Sequence, residues 1–149
     1  MSTFEQRRTQ RALRASLAGT AGFVAFWAVV GAVGLIGGGA DLGDEIIHRL
    51  PFASSALAGV LLATIIGVPM AVTAVLAVRA PARGALAGMG GGLLLLGWVA
   101  VQPFVIGQLN WLQPVCGLLG AAVCAVGYRL HRPTAGIGSP KLPFHAFPA

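Results

Sequence analysis

The sequence predicts an all-α polytopic membrane protein: four antiparallel transmembrane helices with both termini cytoplasmic. Three observations carry that prediction. The chain is 56% hydrophobic and only 9% charged, whereas a soluble domain carries roughly a quarter charged residues. Apolar runs of about 20 residues recur, each matching a hydrocarbon core of roughly 30 Å at 1.5 Å rise per residue. The basic residues then fall at alternate ends of those runs. A β-barrel, the other architecture able to span a bilayer, needs short strands that alternate apolar and polar. The continuous run Gly92-Leu93-Leu94-Leu95-Leu96 does not alternate. The net charge of +6 suits anionic headgroups at the span edges. Basic segments interleaved with aromatics, which nucleic acid would require, are missing from the sequence.

Residues 1–16 read as a basic amphipathic N-terminal segment, with Arg7, Arg11 and Arg14 at i, i+4, i+7 and Arg8 beside them. Such a face suits the headgroups of the inner leaflet. The first span follows at 17–38, with Phe23, Phe26 and Trp27 supplying bulk and Gly31, Gly34 and Gly38 leaving its outer end slim. A basic start, an apolar run and Gly38-Gly39-Ala40 also resemble a secretory leader. The run exceeds the roughly 7–15 residues of a leader's apolar core, which favours an uncleaved helix. The loop from Asp41 to Phe52 gathers Asp41, Asp44, Glu45, His48 and Arg49 before Pro51.

The second span, 54–78, repeats small residues every four positions through Ser55, Gly59, Ala63, Gly67 and Ala71. Small-xxx-small stripes let a neighbouring helix approach closely in lipid. Pro69 is expected to kink this helix and free a carbonyl near Ile65, with Thr64 and Thr73 close enough to help satisfy the backbone. Arg79-Ala80-Pro81-Ala82-Arg83 reads as a tight inner turn. The third span, 86–107, carries Gly88 and Gly92, then Trp98, Gln102 and Pro103. Gln108-Leu109-Asn110-Trp111 turns back at the outer side, with Trp111 at headgroup level. The fourth span, 112–130, repeats Gly117, Ala121 and Ala125 and ends on Tyr128, Arg129, His131 and Arg132. Residues 131–149 form a Pro/Gly-rich tail expected to be disordered.

Threading follows from charge. With both termini inside, Arg7, Arg8, Arg11, Arg14, Arg79, Arg83, Arg129, Arg132 and Lys141 all lie at inner segments. Of the ten Lys and Arg residues, Arg49 alone lies outside. That asymmetry is the positive-inside pattern of a plasma-membrane protein. Cys116 and Cys124 stand eight residues apart on one helix, about 12 Å along its axis, too far for a disulfide within it. They read as small packing residues.

Candidate chemistry is sparse. Asp44, Glu45 and His48 offer a Glu-x-x-His half-site, but carboxylate-bridged metal bundles need a second copy on another helix. A solvated loop with local ion pairs is the default, so no metal and no cofactor is expected. Gln102, Asn110 and Gln113, near the outer ends of the last two spans, could line a polar route or form interhelical hydrogen bonds. The absence of an intramembrane charge argues against an ion path. Trp27 and Trp98 sit mid-span and read as core. No nucleophile and base stand at a spacing that would make an enzyme.

Leu50-Pro51-Phe52, Gly97-Trp98-Val99-Ala100-Val101-Gln102 and Trp111-Leu112-Gln113-Pro114 together resemble a set of small, uncharacterised four-span membrane proteins of high-G+C bacteria. The resemblance covers about residues 31–127 and implies location and topology, with no activity to carry over. Pro103 departs from it, since an ordinary helical residue is expected there. The sequence thus points to a non-enzymatic membrane protein acting as an accessory or assembly subunit, alone as a homo-oligomer or with other membrane subunits, in a lipid bilayer and without nucleic acid. The alternative is an oligomeric small-solute or lipid carrier. Gly59, Ala63, Gly67, Gly88, Gly92, Gly117 and Ala121 are the expected packing positions.

Overall fold

The computed structural model describes residues 3–39, 54–106 and 111–132. All four elements in it are helices: α1 (Thr3–Ile36), α2 (Ser55–Arg79), α3 (Pro81–Ile106) and α4 (Leu112–His131). Each is long and apolar enough to cross a membrane. The loop 41–52, Asn110 and the tail 133–149 lie outside the described residues.

The 34 residues of α1 are helical without interruption, so the basic segment and the first span form one rod. At 1.5 Å per residue it is about 51 Å long, well beyond a roughly 30 Å hydrocarbon core. Leu17 is its first buried residue, and Arg7, Arg8, Arg11 and Arg14 before it are all exposed. The rod ends where glycine permits it: the Gly37 amide donates to the Val33 carbonyl at 2.8 Å, and Gly38 turns the chain at φ +71°, a left-handed conformation open to glycine.

Ser54 caps α2, its hydroxyl accepting the Leu57 amide at 3.2 Å. Pro69 is accommodated by a change of helix type. Residues Ala63–Gly67 form a π turn, in which the Val68 amide reaches back five residues to the Ala63 carbonyl. Proline has no amide and its ring clashes with the carbonyl four residues back, so a widened turn relieves both problems. The two threonines serve other carbonyls than the one expected. Thr64 donates to Val60 O and Thr73 to Pro69 O at 2.8 Å, because a threonine hydroxyl within a helix bonds most readily four residues back.

The turn between α2 and α3 is shorter than the sequence suggested. α2 ends at Arg79 and α3 begins at Pro81, leaving Ala80 alone between them. Proline suits the first turn of a helix, where its missing amide has no partner to lose. Such a tight link drives the two backbones together at once. A Cβ on Gly84 would stand 2.6 Å from Ala77 Cα.

Helices adjacent in sequence are adjacent in space. α1 packs on α2, α2 on α3 and α3 on α4, while α4 returns to α1 and α1 only grazes α3. A core of Leu17, Ala21, Val24, Ala25, Ala28, Ile66, Met70, Ala77, Leu95 and Val123 fills the centre. Glycines set the separations. Gly59 lies against Ala32 O, Gly67 against Ala28, Gly91 against Thr73 and Met70, Gly88 against Leu17, Gly92 against Gly120 O and Cys124, and Gly127 against Ala85 O.

Several expected packing positions are displaced. The α2 stripe holds through Gly59 and Gly67, both buried, with Ala63 half-buried between them. Ala71 is exposed, and Ala74 takes over against Gly22 of α1. A four-residue step drifts about 40° around an α-helix, and the π turn adds a further phase shift. On α4 the buried line is Gln113, Gly120, Val123 and Gly127. Ala121 and Ala125 face outward, and Gly117 is half-buried near Val99. Trp27 is 55% exposed rather than core. It stacks edge-on with Phe23 and Phe26 on the outside of α1, at centroid distances of 6.3 and 5.7 Å. In lipid an outward aromatic loses nothing by exposure, so bulk does not imply burial.

Candidate functional site

Polar side chains within the apolar length of the described helices are few, and Trp98, Gln102 and Gln113 lie toward the same end. The line Gly84, Gly91, Trp98 on α3 advances seven residues at a time. Its first two members face Ala77, then Thr73 and Met70, of α2. The same register carries Trp98 to the level of the π turn Ala63–Gly67, which α3 also contacts. Trp98 is half-buried against the core. Its indole Nε1 is fully enclosed and finds no acceptor among the described residues.

Gln102 lies one turn beyond Trp98 and is half-buried. On α4, Gln113 is only 6% exposed. The register that sets Gly92 on Gly120 and Val99 near Gly117 brings Gln113 to the level of Gln102. The two amides singled out in the sequence therefore stand on facing helices at one height. Asn110, the third, lies outside the described residues. Pro103 sits inside α3, which continues helically to Ile106. Having no amide, it leaves the Val99 carbonyl without its usual donor. Trp111 opens α4 and is 75% exposed.

Asp44, Glu45 and His48 also lie outside the described residues, and among the described ones no three metal-ligating side chains cluster. Cys116 and Cys124 are free and half-buried. At the opposite end, Arg79, Arg83, Arg129 and Arg132 are all exposed. Arg132 folds back over Tyr128, its guanidinium 4.6 Å from the ring centroid and its Nη2 donating to the phenol oxygen at 2.6 Å.

The π turn is the feature sequence reasoning missed. Proline flagged a local defect at Pro69, but the choice between a kink and a widened turn depends on what α1 and α3 allow around it. Gly120 and Gly127 were legible in principle, since they stand seven residues apart, as do Gly84, Gly91 and Trp98. A search for four-residue repeats passes over that spacing. No protein family, curated protein or solved structure matches the chain.

Proposed function

We propose that this protein is a non-enzymatic accessory or assembly subunit of a larger complex in the plasma membrane, threaded as antiparallel spans with both termini on the cytoplasmic side. The reading rests on the outward face of α3. Leu86, Gly90, Leu93, Gly97, Ala100 and Phe104 are all exposed, and they recur at alternating steps of four and three, the spacing of a helix-packing seam. A Cβ at Gly90 or Gly97 would meet nothing within 4 Å. Glycine facing acyl chains contributes little packing, whereas small residues between large ones admit another helix. The inner face of α3 already uses its own glycines, so this second set is surplus to the four-helix bundle.

The threading is supported by the arginine asymmetry. It is also supported by contacts that run in opposite directions along successive helices: Gly59 with Ala32 and Gly67 with Ala28, Gly84 with Ala77 and Gly91 with Met70, Gly92 with Gly120 and Gly88 with Gly127. A reporter fused after Ala149 is expected to stay cytoplasmic, and one active outside would reverse the arrangement. For assembly, the test is particle mass in native nanodiscs. Wild type is expected to run above a single chain, alone or with a retained subunit, and Gly97→Leu to return it to one chain without loss of helicity. Wild type at single-chain mass would refute the reading.

A second reading, an oligomeric carrier of small solutes or lipids, is favoured by the facing Gln102 and Gln113. It predicts that a cysteine at position 102 reacts with a polar reagent added from outside.

A further inference from the structure

We propose that the start of α1 is a docking arm for an acidic segment of a partner protein, bound through Phe4, Arg7, Arg8 and Arg11. This surface is separate from the α3 seam and does not depend on it. Leu17 sets the level: a Cβ on Gly88 of α3 would stand 3.0 Å from Leu17 Cδ1 and 3.6 Å from Gly127 Cα of α4. Gly22 faces Ala74 and Gly67 faces Ala28, which puts the start of α1 at the end where α2 passes into α3. Gly92 faces Gly120 and Gly88 faces Gly127, so α4 ends there too. Beyond the Leu17 level, at 1.5 Å per residue, α4 runs on about 6 Å to His131, α3 reaches about 10 Å to Pro81 and α1 about 21 Å to Thr3. With the hydrocarbon edge at Arg14 and a headgroup layer about 5–7 Å thick, Arg8, Arg7 and Phe4 stand in water, about 13–20 Å beyond Leu17.

At about 100° per residue, Phe4, Arg7, Arg8, Arg11 and Arg14 share an arc of about 120°, and all five are exposed, Phe4 at 87%. Glu5, Thr9, Ala12 and Ser16, also exposed, occupy the other flank. A helix that lies in the bilayer interface needs a broad apolar face opposite its charges. This one has none, so the arm stands clear of the lipid. Phe4, Arg7, Arg8 and Arg11, together with Glu5, line a surface groove. Guanidiniums take carboxylates in paired hydrogen bonds, and Phe and Arg are enriched in protein interfaces. The basic patch from Arg7 to Arg14 is about 10 Å long, two turns of a facing helix, whereas nucleic acid is held by many phosphate contacts along a longer track. The bare phenyl among the cations gives a protein partner an apolar anchor that headgroups do not require.

The test uses the full chain in nanodiscs of zwitterionic lipid. The probe is a fluorescent synthetic helical peptide with glutamates at i, i+3, i+4 and i+7 and leucines between them, read by anisotropy. Arg7→Gln with Arg8→Gln is expected to weaken its binding about tenfold. Phe4→Ala is expected to weaken it about fivefold with no change of charge, the loss of an interface anchor. Arg129→Gln with Arg132→Gln removes the same charge from α4 and is expected to change binding by less than about twofold. All five replaced residues are exposed, so helicity is retained. No binding of the peptide, equal losses in the two arginine pairs, or tighter binding of a single-stranded oligonucleotide than of the peptide would overturn the proposal. So would a polarity-sensitive dye at Phe4→Cys, with Cys116 and Cys124 replaced by alanine, that shifts to an apolar signal when phosphatidylglycerol is added to the nanodiscs, because the arm would then lie on the lipid.

Discussion

Gly92→Ala adds one methyl group where α3 and α4 touch backbone to backbone. The new Cβ would stand 2.6 Å from Gly120 O, 2.7 Å from Cys124 N and 2.8 Å from Cys124 Cβ. Comfortable separations for such atoms are about 3.5–4.0 Å, so the helices must part by roughly 1 Å locally. The obstructing atoms are mostly backbone and cannot rotate away. Overpacking a tight site costs about 1–3 kcal/mol, and this rigid contact belongs at the upper end, about 3 kcal/mol. Gly90→Ala is the matched control two residues away, because its Cβ meets nothing within 4 Å and alanine is the better helix former. Both variants would be unfolded reversibly in bicelles with the free energy read from each transition. Gly92→Ala is expected to lose about 3 kcal/mol relative to Gly90→Ala. Equal stabilities would refute the claim that glycine contacts set the spacing of these helices.

Met70 is fully enclosed and Phe104 is 89% exposed. Met70→Ala should therefore lose roughly 2–5 kcal/mol through the cavity it leaves, and Phe104→Ala less than about 0.5 kcal/mol, by the same unfolding assay in lipid. Replacing Arg7, Arg8, Arg11 and Arg14 with glutamine removes attraction to anionic headgroups of about 1 kcal/mol per residue. A reporter placed ahead of Met1 should then become accessible from outside in part of the population, and a wholly internal reporter would show that these arginines do not hold the orientation. Metal analysis of the purified chain is expected to find no stoichiometric ion. One ion per chain, lost in His48→Ala, would turn attention to Asp44 and Glu45 as ligands.

The four apolar runs were legible because a span announces itself by composition, and composition needs no knowledge of neighbours. The ends of α2 and α4 fall within a residue or so of those the hydropathy suggests. α1 and α3 extend farther, α1 because the basic segment continues the same helix and α3 because Pro81 starts it directly after Ala80. Which face of each helix turns inward was less legible. Gly59, Gly67, Gly88 and Gly92 were found from spacing and are buried, whereas Ala121 and Trp27 face outward. In water the apolar face would mark the inside. In lipid both faces are apolar, and the contrast between an oily and a polar side that locates the core of a soluble helix is nearly silent.

The amino-acid order alone determined that the described residues hold four helices suited to a bilayer and that the arginines gather at alternate ends of the apolar runs. Those properties follow from the transfer energies of individual side chains between oil and water. The fold itself decided which glycines touch, how Pro69 is absorbed into a π turn and that the indole nitrogen of Trp98 lies enclosed. Such features depend on how closely neighbouring backbones approach, and that distance exists only once the helices have packed.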